Sequence, residues 1–132
     1  MQLNYFGAAR LMLGLLPSMI DNGGGHILHS SSMGTMAATP RFGPYMASKS
    51  ALDTLMDSIA AEYADRDMVF TSIKFPLVKT QMVAPTAEYQ KAPLVSPESA
   101  AQMFVDAVID QPRNQLSGMG VFLGTMSLYA PD

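Results

Sequence analysis

Apolar residues recur along this chain with two different periods. Leu11, Met12, Leu15, Leu16 and Met19 fall three and four apart, which predicts a helix over residues 2–21. Pro17 lies inside that pattern and brings no backbone donor, so a kink or a lost hydrogen bond is expected there. Asn22 and the glycines Gly23 to Gly25 then stop the helix. The short apolar run Ile27-Leu28 follows and predicts a buried strand. Ser30 to Gly43 is rich in Ser, Thr, Gly and Pro and is expected to be a loop. Pro44 suits the first turn of a second helix, whose residues Leu52, Leu55, Met56, Ile59 and Tyr63 share one face over about 44–64. Asp65, Arg66 and Asp67 end it with solvated charge. The run Met68 to Phe75, MVFTSIKF, is β-branched and aromatic and predicts a strand. Pro76 breaks it, and no clear period runs from there to Ser96. A loop of that length is usually functional or mobile. Ser96-Pro97-Glu98 opens a third helix to about Asp110, closed by Pro112. Residues 113–132 leave strand and helix both open.

The order helix, strand, helix, strand, long loop, helix implies an α/β fold with parallel strands, in a single domain over residues 1–132. Such sheets hold ligands at the carboxyl ends of their strands. The segments after Leu28 and after Phe75 are therefore the places to look.

Composition narrows the function. Apolar residues make up 48% of the chain and charged residues 14%, a globular and not a disordered balance. The net charge of -3, with no long basic run, argues against nucleic acid as a partner. The absence of cysteine excludes disulfides, thiolate zinc sites and cysteine nucleophiles, and fits a reducing, cytoplasmic setting. The apolar run after Arg10 lacks a small-residue cleavage site and is about half of the roughly 20 residues a membrane span needs, so a buried helix and no transmembrane span is expected. His26 and His29 show no metal-ligand pattern and are given no catalytic role. Most of the twelve methionines read as core filler.

One stretch carries chemistry. In GPYMASKSAL, Tyr45 and Lys49 are four apart and share a helical face if the helix begins at Pro44. An ammonium beside a phenol favours the phenolate, so the pair could exchange a proton near neutral pH. Taken alone, the spacing arises by chance about one time in four in a chain with this many tyrosines. The surroundings add to it. Ser32 ends an SSS run after a glycine-preceded strand, Asn4 lies in the first helix, and FPLVKTQM follows the second strand.

NYFG, LPSM, GGGHILHSSSMG, YMASK and FPLVKT together resemble the short-chain dehydrogenase/reductase family, in order and spacing, from about Met1 to Met82 and more weakly through the last helix. That resemblance implies a partial Rossmann-like, doubly wound parallel sheet. It implies that Tyr45 is the catalytic acid/base and Lys49 its electrostatic partner, the latter also holding hydroxyls of the nicotinamide ribose. Ser32 would polarise the substrate carbonyl, with Ser31 the fallback, and Asn4 would anchor a water in a proton relay. Tyr45 and Lys49, with Pro76, Val78 and Thr80, would contact the cofactor, NAD or NADP. The activity implied is hydride transfer between that cofactor and a carbonyl or alcohol. Residues 76–95 would form the substrate loop, with Met82 and its neighbours lining an apolar pocket. Branches that resemble fatty aldehyde or acyl-CoA reductases share the PLVKT-like turn and the MVAPT after it, which points to a long-chain acyl or aldehyde substrate.

Departures from the family pattern matter as well. No TGxxxGxG turn occurs, and Gly23 to Gly25 follow a helix where a phosphate turn should open one. The chain therefore reads as the C-terminal, catalytic half, without the half that holds the dinucleotide phosphates. The strand at Ile27 would then have one open edge, and the isolated chain would be marginal and weakly active or inactive. Leu77 stands where the family usually has glycine, so the backbone beside the nicotinamide is expected to differ. By resemblance the first two helices would form a homodimer interface. A non-catalytic dimerisation module or a pseudoenzyme remnant is the alternative reading.

Overall fold

Three parallel strands form the centre of the structure, a computed structural model that describes residues 1–37, 40–87, 89 and 92–117. Their order is β1 (Gly25–Ser32), β2 (Met68–Phe75), β3 (Asn114–Leu116). The pairing of β1 with β2 is in register from Gly25↔Met68 to Ser32↔Phe75. Strand β1 therefore runs through the serines, which were expected to lie in a loop. Backbone ladder bonds to β2 hold them there whatever their side chains prefer. The loop proper is short, because Met33–Met36 form a 3₁₀ turn capped by the Ser32 hydroxyl, which accepts from the Gly34 amide. The ambiguous tail contributes β3; its residues 118–132 lie outside the described residues.

Helices α1 (Ala8–Asp21) and α2 (Gly43–Glu62) cover one face of the sheet. Ala9, Met12 and Leu16 from α1 meet Leu52, Met56 and Ile59 from α2 over Phe70, as the apolar spacing implied. Helix α3 (Pro97–Asp110) covers the other face, where Phe104 packs on Phe75 with ring centroids 5.1 Å apart. Strand alternation sorts the side chains. Ile27, His29 and Ser31 of β1 and Phe70 and Lys74 of β2 turn toward α2. Phe75 turns toward α3.

The first helix is not continuous. Gln2–Gly7 form a widened π-turn in which the Tyr5 and Phe6 amides both bond the Met1 carbonyl, at 2.9 and 3.2 Å. From Ala8 the α-helix continues through Pro17, which has no amide hydrogen to donate, to Asp21. Gly24 then takes a φ of +101°, and a Cβ there would collide with the Asp67 backbone. These glycines bind the amino ends of β1 and β2 together, at the end of the sheet away from the ligand side. Among the described residues, strand β1 pairs with β2 alone.

Candidate active site

Helix α2 begins with proline in its first turn and presents Tyr45, Lys49 and Asp53 at four-residue intervals. The carboxyl ends of β1 and β2 lie against that column. Lys49 Nζ donates to the Ser30 carbonyl at 2.8 Å and lies 5.9 Å from the centroid of the Tyr45 ring. Asn4 Nδ2 donates to Ser48 Oγ at 3.1 Å, and Ser48 Oγ donates to the Tyr45 carbonyl at 2.7 Å. Asn4 thus braces the backbone of the tyrosine through a serine that the sequence reading had not singled out.

The acidified phenol is a correction. Burial pushes the Tyr45 phenol above its ordinary range, and Tyr89 adds to the rise. Lys49 does not reverse this, since its ammonium faces the ring and the Ser30 carbonyl. Burial also holds Lys49 below the usual lysine range, with Asp53 opposing. The pair is thus a protonated phenol beside a half-buried ammonium.

Two cavities meet at the carboxyl ends of the strands. One, of about 510 Å³, is lined by Ser30–Ser32, Pro76, Val78 and Thr80, with Met82 and Phe104 on its far side. The other, of about 320 Å³, is lined by Met33, Ala37, Met46, Tyr89 and Pro93 among others. Ser32, Phe75, Pro76 and Leu77 belong to both. Of the residues singled out from sequence, Ser32, Pro76, Val78 and Thr80 come together at the first cavity. Tyr45 and Lys49 line neither, although Met46 lines the second.

Leu77 does not adopt a left-handed conformation. Its carbonyl accepts from the Val95 amide at 2.9 Å, and the Lys79 amide bonds the Val95 carbonyl at 2.9 Å. Val78 and Val95 form a parallel bridge that ties the base of the 76–95 loop. At its middle, Tyr89 stacks on Phe42 with centroids 5.6 Å apart, just ahead of α2. Asp53, Lys74 and Tyr89 went unnoticed in the sequence. For Asp53 there was a signal: an acid one turn past Lys49, adjacent to the apolar Leu52.

The short chain dehydrogenase family model matches residues 1–91. The chain belongs to that family. It is 44% identical over 132 residues to a fatty acyl-CoA reductase of Acinetobacter baylyi, covering 100% of this chain and 45% of that one. It is 37% identical to a fatty acyl-CoA reductase of Mycobacterium tuberculosis over 99% of this chain and 45% of the relative. The chain thus spans about half the length of these curated relatives. Among solved structures, a short-chain dehydrogenase of Streptomyces avermitilis superposes with a TM-score of 0.75 at 26% identity, over 96% of this chain and 55% of that one. A short chain dehydrogenase of Burkholderia cenocepacia in complex with NADP superposes at 0.83 and 22% identity, over 97% and 52%, a likeness of fold. The α/β architecture of the chain is accordingly part of a Rossmann fold. No helix among its described residues is long and apolar enough to cross a membrane.

The donor set fits one end of a nicotinamide dinucleotide. Hydroxyls of Ser32 and Thr80 and the apolar Pro76–Val78 wall surround the larger cavity. The phosphate end finds no glycine-rich turn opening a helix among the described residues, and Gly24 is committed to packing on Asp67.

Proposed function

We propose that this chain is the catalytic half of an NAD(P)-dependent reductase acting on a long-chain acyl or aldehyde carbonyl. The observation that carries the reading is that Ser32 and Pro76 form the wall between two cavities, while Lys49, close to the Tyr45 ring, bonds the carbonyl of Ser30 in the same strand end. The larger cavity is read as the nicotinamide side, with Pro76, Val78 and Thr80 as its contacts. The smaller is read as the substrate side; its methionine, alanine and proline lining suits an alkyl chain. The names of the acyl-CoA reductase relatives support that substrate class.

A bound nicotinamide dinucleotide would supply the hydride. The chain's own part is to place the carbonyl at Ser32, to donate hydrogen bonds to its oxygen, and to protonate that oxygen from Tyr45. Lys49, anchored on the Ser30 carbonyl, keeps positive charge beside the ring as the phenol loses its proton. Asn4, through Ser48, fixes the turn that carries Tyr45. The exposed Leu3, Leu11 and Leu15 of the first two helical segments support a homodimer through that surface.

The test follows oxidation of NADPH and of NADH by a long-chain aldehyde. Slow turnover above the protein-free rate is expected from the chain, with a loss of about 10²–10⁴-fold in Tyr45→Phe, the size of a missing general acid. Turnover retained in Tyr45→Phe would remove the tyrosine from this role.

A further inference from the structure

The column that begins with Tyr45 and Lys49 continues one turn further, to an acid whose setting is unusual. Asp53 is only 8% exposed, which is rare for a carboxylate. Its Oδ2 accepts from Ser31 Oγ at 2.7 Å and from Lys74 Nζ at 2.5 Å. Ser31 and Lys74 oppose each other across the β1–β2 ladder, so one oxygen grips both strands. The next pair in the ladder is Ser32 and Phe75, both shared by the two cavities. His29 closes the other side, with Nε2 3.5 Å from Oδ1, and neither of those atoms makes a hydrogen bond. Burial above all holds the His29 imidazole down to about 4, so it stays neutral at ordinary pH. The cation in contact with Asp53 is therefore Lys74 from β2, while Lys49, one turn back on α2, sits on the carbonyl of Ser30, next in the chain to Ser31, and has its proton affinity raised by the Asp53 charge. The next acid along α2 shows what an ordinary surface position does. Asp57 meets Arg113 at 3.0 Å with both side chains more than half exposed.

We propose that Asp53 is a positioning residue of this site: its buried carboxylate, paired with Lys74, ties the carboxyl ends of β1 and β2 to α2 and sets the field at the Lys49 ammonium one turn back on the same helix. A buried charge that has lost its partner is costly, so a carboxylate placed there must be matched by the lysines around it. The clamp fixes Ser31, and with it the Ser32 hydroxyl, relative to the helix that carries Tyr45. The same charge raises the proton affinity of Lys49 against the effect of its burial. The meaning of this role rests on the reading of Lys49 as the partner of Tyr45. The test below reads the lysine's proton affinity and needs no turnover, so the two ideas fail separately.

The titration midpoint of Lys49 is measured in this chain by competitive acetylation across pH, read by mass spectrometry, with the exposed Lys79 as internal reference. In Asp53→Asn with its far-ultraviolet circular dichroism unchanged, the Lys49 midpoint is expected to fall. Its acetylation near neutral pH then becomes several-fold faster relative to Lys79, and the Ser32 amide resonance moves. Asp57→Asn is expected to leave both unchanged. A merely structural role gives the opposite sign, since an opened site hydrates Lys49 and lifts its midpoint toward the ordinary lysine value. A Lys49 midpoint that stays put or rises in folded Asp53→Asn overturns the proposal. Should Asp53→Asn not fold, Lys74→Met serves. It frees the carboxylate of its lysine partner and should raise the Lys49 midpoint above that of the exposed Lys79, further than hydration of an opened site can lift it; a midpoint at or below that of Lys79 overturns the proposal.

Discussion

Helix α2 buries two faces of opposite character. Toward α1 and Phe70 it offers Leu52, Met56 and Ile59, which need only shape and apolarity. Toward the ends of β1 and β2 it offers Lys49 and Asp53, each held by named partners. Leu52 and Asp53 are neighbours in sequence and both are buried, at 2% and 8% exposure. The difference teaches how a small α/β chain separates stability from chemistry along one helix. The apolar face holds α2 against the sheet, and the polar face converts that fixed distance into a placed phenol, ammonium and hydroxyl. The polar face is not fully satisfied: His29 Nε2 and Asp53 Oδ1 are buried 3.5 Å apart and neither makes a hydrogen bond.

The apolar face is the more sensitive in stability. Met56→Ala is expected to cost about 2–5 kcal/mol, as removal of a buried side chain leaves a cavity. Urea unfolding followed by circular dichroism measures it, and a change within error would mean that α2 is not held by this cluster. A smaller effect belongs to the polar face and depends on pH. His29 takes up its proton near pH 4 when folded and near 6.5 when unfolded. Between those values the unfolded chain holds the extra proton, so stability falls as pH drops from about 6.5 to 4 and is level above that window. His29→Gln should remove this part of the pH slope, at most about 1.4 kcal/mol per pH unit. An identical slope in parent and variant would show that His29 is not kept neutral by its surroundings.

The helix faces and both main strands were legible because burial imposes periods that side chains must obey. Leu52, Met56 and Ile59 announced their face by spacing alone. The extent of β1 was not legible, because Ser30 to Ser32 have turn-forming side chains and only the partner strand holds them extended. The π-turn at Gln2–Gly7 leaves no mark in apolar spacing either. Tyr45, Lys49, Ser32 and Asn4, like Pro76, Val78 and Thr80, were singled out through family motifs, and the structure brings Ser32, Pro76, Val78 and Thr80 to one cavity while Tyr45 and Lys49 stand off its lining. Spacing placed Tyr45 beside Lys49 correctly but misjudged the acidity. Proton affinity depends on burial, and burial is a property of the folded chain. Asp53 escaped notice for the same reason: an acid on a helix is usually solvated, and only the convergence of Ser31 and Lys74 from two strands shows otherwise.

The central claim is that the ends of β1 and β2 hold the nicotinamide side of a dinucleotide. A titration of the ¹⁵N-labelled chain with NADP and with NAD, followed by amide resonances, tests it most directly. The account predicts millimolar or weaker binding that moves Ser30–Ser32 and Val78–Thr80 while Gly23–Gly25 stay still. Shifts centred on those glycines, or no shift at saturating nucleotide, would contradict it.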